Sequence, residues 1–379
     1  MANISEKNLI PIDKRALSTK PFTLVVHGGA GTMSKDGSTP EQRAKYRAGL
    51  SAALLAGHLV LKDGGTAMDA AVAAVTVLED NPLFNAGKGA VFNVAGKNEL
   101  EASIMVSKPP ASHPAIPDTR RGLGLTLLTQ TKNPSHLARA LYLNPTSVPH
   151  TFISGETAEF LGQALGEELV DPSYFYTEHR WREHRRGLGL PEEPLPQTLD
   201  ATPLKSSDTP LDSYPTGTVG AVALDVHGCI SSVTSTGGTT NKLVGRIGDT
   251  PLMGGGYWAE EWNVPPSKSV LKRLWRRCVG SKDTSRAVGV SGTGTGDYFI
   301  RQATAVTIVH RVQFKKESLK TAAEGTVKDL AKLGGSGGVI ALDKKGNVSL
   351  PLNSSGMYRG VIKKDGIPKT AIFAEDELS

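Results

Sequence analysis

One junction in the chain could carry covalent chemistry without a histidine. Gly217 is followed by Thr218, which opens the apolar run Val219-Gly220-Ala221-Val222-Ala223-Leu224. A break between the two would leave a threonine with a free α-amine at the rigid end of a strand. Such a residue holds nucleophile and base together, because the amine accepts the hydroxyl proton. Taken alone, Gly-Thr before a strand is an ordinary turn signal. Other stretches imitate active sites less well. Gly334-Gly335-Ser336-Gly337-Gly338 fits the G-x-S-x-G elbow, but that elbow must turn from a strand into a helix, and here the strand-like Val339–Leu342 follows. Gly292-Thr293-Gly294-Thr295-Gly296-Asp297 is as glycine-rich as a phosphate cradle, yet it has neither the G-x-G-x-x-G spacing nor the Lys-Ser/Thr of a P-loop. There is no H-E-x-x-H, and His179 and His184 lie in an Arg-rich run that reads as surface, which argues against a zinc enzyme.

The elements that must position Thr218 can be read from periodicity and punctuation. Pro21–Val26 reads as a buried strand stopped by His27-Gly28-Gly29-Ala30-Gly31. Helical spacing runs from Tyr46 to Lys62 and is closed by Asp63-Gly64-Gly65, where glycine takes the left-handed cap without strain. Thr66 is a suitable N-cap for a second helix, Ala67–Glu79, whose alanines and valines predict burial on all sides. Phe84–Gly89 is a glycine-rich loop, and further helices are expected over Ser135–Leu143 and Glu156–Leu169. Arg186 to Gly217 carries six prolines among polar residues and reads as a flexible linker. Beyond it the pattern turns to β: Thr218–Leu224, a turn at Asp225–Gly228, Cys229–Thr234, and a second hairpin of Gly338–Asp343 with Asn347–Leu352. Two hairpins separated by helical sequence predict two faces of one β core, an α+β layered fold and not a doubly wound sheet.

Composition closes off other classes. The chain has 379 residues, enough for a sizeable core, with 39% hydrophobic and 21% charged residues. No apolar run approaches the roughly 18 residues of a membrane helix, and the N-terminus has no apolar signal region. Two cysteines, Cys229 and Cys278, make neither a disulfide framework nor a cysteine zinc site, so the expected address is cytoplasmic. The net charge of +6 is mild, and Lys268, Lys272, Arg273, Arg276 and Arg277 read as a solvated face more readily than as a nucleic-acid surface.

Several stretches together resemble the plant-type asparaginase/isoaspartyl peptidase family of N-terminal-nucleophile hydrolases. They are Val26–Gly31, Asn81–Phe92, Glu99–Met105, Gly217–Asp225, Thr234–Gly238, Asn241–Leu252, Thr293–Asp297 and Gly356–Gly360. They occur in order and are densest around Thr218. The resemblance implies a four-layer αββα sandwich made as a precursor that cuts itself between Gly217 and Thr218. Residues 1–217 and 218–379 would form one domain after the cut, with the 186–217 linker at the end of the first piece. It further implies that Thr218 attacks the amide of L-asparagine or the β-linked bond of an isoaspartyl dipeptide. Thr236 would position the nucleophile, and Thr293 with Gly294 would form the oxyanion hole. Arg246 would bind the substrate α-carboxylate and Asp249 its α-ammonium, with Gly296 and Asn85 nearby. No catalytic cofactor is implied. A structural sodium ion would be held by backbone carbonyls of the 78–88 loop, from Leu78, Glu79, Asn81, Phe84, Ala86 and Lys88. The implied assembly is a dimer of cleaved αβ heterodimers, without membrane or nucleic-acid partners. Two departures stand out: Val106-Ser107 follows Met105 where relatives continue with Asp-Gly, and Gly256–Gly289 is longer than usual, which could shape or obstruct substrate access. The competing readings are a threonine-aspartase-like protease, or an inactive relative docking through the basic 256–289 insertion.

Overall fold

The computed structural model describes residues 20–31, 33–110, 112–192, 217–264 and 284–379. Residues 193–216 of the expected linker lie outside these described residues, as do the cluster Lys268–Arg277 and Cys278. The first strand, β1 (Thr23–Gly31), is buried along almost its whole length. Its side chains alternate: Leu24 and Val26 join the core under the helices, while Val25 faces a second sheet. The expected stop at His27 does not occur. The strand continues through the glycines because β11 (Gly356–Lys363) pairs with it, Gly29 opposite Tyr358 and Gly31 opposite Gly356, across a bulge at His27/Gly29. No local signal reports a partner more than 300 residues away.

Eight strands form the larger sheet in the order β12-β11-β1-β5-β6-β2-β3-β4. Here β2 is Leu100–Val106, β3 Gly122–Leu128, β4 Phe152–Ser154, β5 Val219–Leu224, β6 Ile230–Thr236 and β12 Lys369–Phe373. The expected hairpin on either side of Asp225–Gly228 is the β5–β6 pair, with Gly228 at φ +74 in the turn. A second sheet, β10-β9-β8-β7, packs on its inner face. Its strands are β7 (Tyr257–Asn263), β8 (Ser285–Gly294), β9 (Gly337–Asp343) and β10, only Val348–Ser349 where a longer strand was expected.

Helices cover both outer faces. Against the first sheet lie α1 (Pro40–Lys62), α2 (Ala67–Glu79), α3 (Pro134–Tyr142) and α4 (Gly155–Ala164). Thr39 and Gln42 close a capping box at the start of α1, and the Thr66 hydroxyl accepts the Asp69 N–H at the start of α2. The small side chains of α2 let α1 approach so closely that a Cβ on Gly57 would stand 2.6 Å from the Ala70 carbonyl. Helix α4 ends earlier than expected, and the chain then returns to pair Leu169 with Thr131. Against the second sheet lie α6 (Gly296–Gln302), α7 (Thr304–Phe314) and α8 (Leu319–Lys332). Between α4 and the linker is α5 (Glu178–Gly187), absent from the sequence reading. Its supposed surface run is half interior: Arg180 and His184 are buried, and the Arg180 guanidinium donates to the carbonyls of Gly89 and Leu83. Helix, sheet, sheet and helix make the four αββα layers of an α+β fold.

Candidate active site

Thr218 stands one residue before β5, buried between the two sheets. Strand β5 pairs with β6 with Val219 opposite Ser235, so the same register carried back one residue sets Thr218 across from Thr236. The register of β6 with β2 sets Thr236 across from Glu101. Alternation puts Val219, Val233 and Ala102 under the helices. Thr218, Thr236 and Glu101 therefore form a row that faces the second sheet.

The second sheet supplies the other half. Thr293, near the end of β8, accepts N–H bonds from Thr218 (3.0 Å) and Ala30 (3.1 Å) on its hydroxyl oxygen. A hydroxyl has two acceptor lone pairs and one hydrogen, so these two bonds leave the O–H to donate elsewhere. Gly294 follows at φ +142, and a Cβ there would stand 2.2 Å from the Ser336 carbonyl; only glycine fits. Gly217 lies against Gly29, where a Cβ on either would come within 3 Å of the other's Cα.

Three residues fix Thr218 and had no role assigned from sequence. His27 Nδ1 meets the Thr218 carbonyl at 2.8 Å, its Nε2 meets Ser291 Oγ at 2.7 Å, and Ser291 Oγ meets Thr234 Oγ1 at 3.0 Å. Burial pulls His27 down to about 3, against the opposing effect of its bond to Thr218, so the ring is neutral. It donates through Nδ1 and accepts the Ser291 O–H on Nε2. Room for this bond comes from Gly220, whose Cβ would sit on both the ring and Ser291. His27 lies in the conspicuous His-Gly-Gly run, but Ser291 and Thr234 are ordinary strand residues until the sheets stack.

Beside this row lies a charged group. Arg246 Nη2 donates to Asp297 at 3.2 Å. Asp249 is buried and its Oδ2 has no hydrogen-bond partner among the described residues. Burial first, and then the charge of Glu101, push its carboxyl up to about 7. A Cβ on Gly296 would stand 2.3 Å from Asp249 Oδ1, which places the start of α6 directly on that carboxyl. Glu101 Oε1 accepts the Gly248 N–H at 2.7 Å. Lys242, buried, donates to the Glu99 carbonyl at 2.6 Å.

Asn85 is near this site, but both ends of its amide are occupied. Nδ2 donates to the Gly238 carbonyl and Oδ1 accepts the Val91 N–H, clamping the 84–91 loop to the end of β6. The loop from Leu78 to Lys88 folds back on itself where Gly87, at φ +50, meets the Glu79 carbonyl. The Glu79 side chain takes the N–H and O–H of Ser135 and so fastens α2 to α3.

The residues that flank 265–283 meet at the end of β8 away from Thr293. Val264 N–H bonds the Thr284 carbonyl at the start of β8, while Thr293 lies near the other end of that strand. At roughly 3.3 Å per residue the separation is about 30 Å. The expectation that the 256–289 insertion shapes or obstructs substrate access falls largely outside the described residues; its first residue, Gly256, accepts the Gly292 N–H at 2.7 Å and lies against Asp249.

A neutral, buried histidine orienting a threonine, a hydroxyl poised to donate and a carboxyl–guanidinium pocket suit acyl transfer from an amino-acid amide to that threonine. A sequence profile described as "Asparaginase" matches residues 20–264 and 279–372. The chain is 37% identical to the isoaspartyl peptidase of Escherichia coli, covering 93% of this chain and 96% of that protein. It is 33% identical to the isoaspartyl peptidase/L-asparaginase of Mus musculus (92% and 90% covered) and 32% identical to that of Xenopus laevis (90% and 92%). Row of threonines, pocket and similarity along nearly the whole length agree: the chain belongs to the asparaginase family of N-terminal-nucleophile hydrolases.

Proposed function

We propose that the protein cuts its own chain between Gly217 and Thr218 and then hydrolyses the side-chain amide of L-asparagine and the β-peptide bond of isoaspartyl dipeptides. The observation that carries this is the contact of the Thr218 nitrogen with the Thr293 hydroxyl inside the row Thr218–Thr236, next to a buried carboxyl. In the uncut chain Thr218 Oγ attacks the Gly217 carbonyl carbon, the acyl group passes from N to O, and water hydrolyses the ester. The new α-amine stays on Thr293 and takes the Thr218 hydroxyl proton during turnover.

In turnover, Thr218 Oγ adds to the substrate carbonyl. The oxyanion receives the Thr293 O–H and the Gly294 N–H, donors fixed before the reaction. Collapse expels ammonia, or the amino acid of a dipeptide, which takes the proton from the amine. Water then frees L-aspartate from the β-aspartyl-Thr218 ester. Thr236 positions the nucleophile, Arg246 takes the substrate α-carboxylate as a planar fork, and Asp249 with the Gly296 carbonyl takes the α-ammonium. Asn85 acts by holding the 84–91 loop. No catalytic cofactor enters these steps.

A sodium ion would be held in the 78–88 loop, which closes where the Glu79 carbonyl lies against Gly87 and whose backbone carbonyls are hard oxygen donors. Leu78, Glu79, Asn81, Phe84, Ala86 and Lys88 would hold it through those carbonyls, and it would stiffen the loop. The Lys88 ammonium is turned away onto the Tyr174 carbonyl. A cytoplasmic address and a dimer of cleaved heterodimers complete the reading; no described helix is long and apolar enough to cross a membrane.

Intact-mass analysis of purified protein tests the central claim. Two fragments, residues 1–217 and 218–379, are expected, with ammonia released from L-asparagine. Thr218→Ala is expected to stay whole and inactive. A persistently uncut wild-type chain, or a cut chain without turnover, would overturn the proposal.

A further inference from the structure

We propose that Glu101 is a second carboxylate of the substrate's α-ammonium pocket and the residue that makes a free α-amine a requirement for binding. This rests on the asparaginase reading above. Glu101 lies on β2 in the row with Thr236 and Thr218, two strands and about 10 Å from the nucleophile. Its two oxygens do different things. Oε1 accepts the Gly248 N–H at 2.7 Å and so fixes the turn that carries Arg246 and Asp249. Oε2 is buried and has no hydrogen-bond partner among the described residues, and the same is true of Asp249 Oδ2.

A carboxylate oxygen buried without a donor is costly, and two in one pocket cost more. The point above Gly248 where a Cβ would stand is 2.9 Å from Glu101 Oε2 and 2.8 Å from Arg246 Nη1, so both side chains end over the same glycine. The carboxylate therefore sits beside the guanidinium that meets the other end of the substrate. Around the pocket are four carboxyl groups, Glu99, Glu101, Asp249 and Asp297, against two cations, Lys242 and Arg246, and burial raises Glu101 and Asp249 above the usual carboxyl range. The imbalance leaves room for a positive ligand group. An α-ammonium has three N–H donors, and supplies the charge and the bonds that Glu101 Oε2 and Asp249 Oδ2 lack. A substrate without the amine would leave both unsatisfied, so selectivity follows from an unmet need in the protein.

The test is calorimetric and needs no turnover. L-aspartate and succinate, which differ only in the amine, are titrated into the cleaved wild type and into cleaved Glu101→Gln. The Gln variant keeps an oxygen for Gly248 N–H and loses the charge. The dissociation constant for L-aspartate is expected to rise about tenfold and that for succinate to move less than twofold. Equal weakening of both ligands would assign Glu101 a structural role only, and unchanged aspartate binding would remove it from the pocket; either overturns the proposal. If Glu101→Gln fails to mature, Glu101→Asp keeps the charge on a shorter stem. It is expected to weaken aspartate about threefold while sparing succinate, with the same two results decisive against. Failure of the wild type to turn over L-asparagine would count against the function proposed above and leaves this binding comparison readable.

Discussion

At the scale of single residues, protonation decides when the pocket can work. Asp249 is held up to about 7 by burial and by Glu101, with Arg246 opposing and Asp297 reinforcing the shift. Below that pH the free enzyme carries a neutral carboxyl, which cannot hold an ammonium by charge. The Thr218 α-amine must also lose its proton, and an unperturbed α-amine does so at about 8. Both protonations lower kcat/KM, so its logarithm should fall with a slope approaching two on the acid side of about pH 7. In the complex the substrate's own ammonium keeps Asp249 ionised, and kcat should fall with a slope of one. Steady-state rates on L-asparagine across about pH 5 to 9 check this, and a slope of one in both parameters would detach Asp249 from substrate binding.

At the scale of elements, the site depends on close approaches that only glycine permits. The α1–α2 crossing at Gly57 is one that has nothing to do with catalysis directly. A Cβ there would stand 2.5 Å from Leu24 Cδ2 and 2.6 Å from the Ala70 carbonyl, and a backbone oxygen cannot swing away. Alanine would favour the helix by about 1 kcal/mol, but overpacking both contacts outweighs this. Gly57→Ala is expected to lose about 1–3 kcal/mol net in urea unfolding, and a variant at least as stable as wild type would show that α1 is free to shift outward. Elements with strong local signals were legible in advance: α1 and α2 through their spacing and caps, β5 and β6 through the turn at Asp225–Gly228. Strand β1 was read too short at His27, and α5 was missed, because Arg180 and His184 look exposed until the 83–92 loop and Asn241 are brought against them.

At the scale of the molecule, the two pieces expected from cleavage are woven together. Strand β1, from the first piece, lies between β11 and β5 of the second, and β6 of the second pairs with β2 of the first. Separating them would break three strand pairings and expose the core beneath. The cut protein should therefore elute as one species in native buffer and unfold in one transition, with free fragments appearing only in denaturant. Elution of separate fragments without denaturant would contradict this interleaving.

The sequence by itself marked Thr218 and its surroundings. Thr218 after Gly217 at the start of an apolar strand is a local pattern, and the motif stretches around it carried Thr236, Arg246, Asp249 and Thr293 with them. It also determined the α+β class, because the hydrophobic period changes from helical to alternating along the chain. What tertiary structure alone decided is which groups meet. Arg246 met Asp297, Glu101 entered the row of threonines, and His27 reached Ser291 across the gap between sheets and, through it, Thr234. These are contacts between strands far apart in sequence. Their partners are set by register and by the stacking of two faces, and neither leaves a mark in the local spacing of residues.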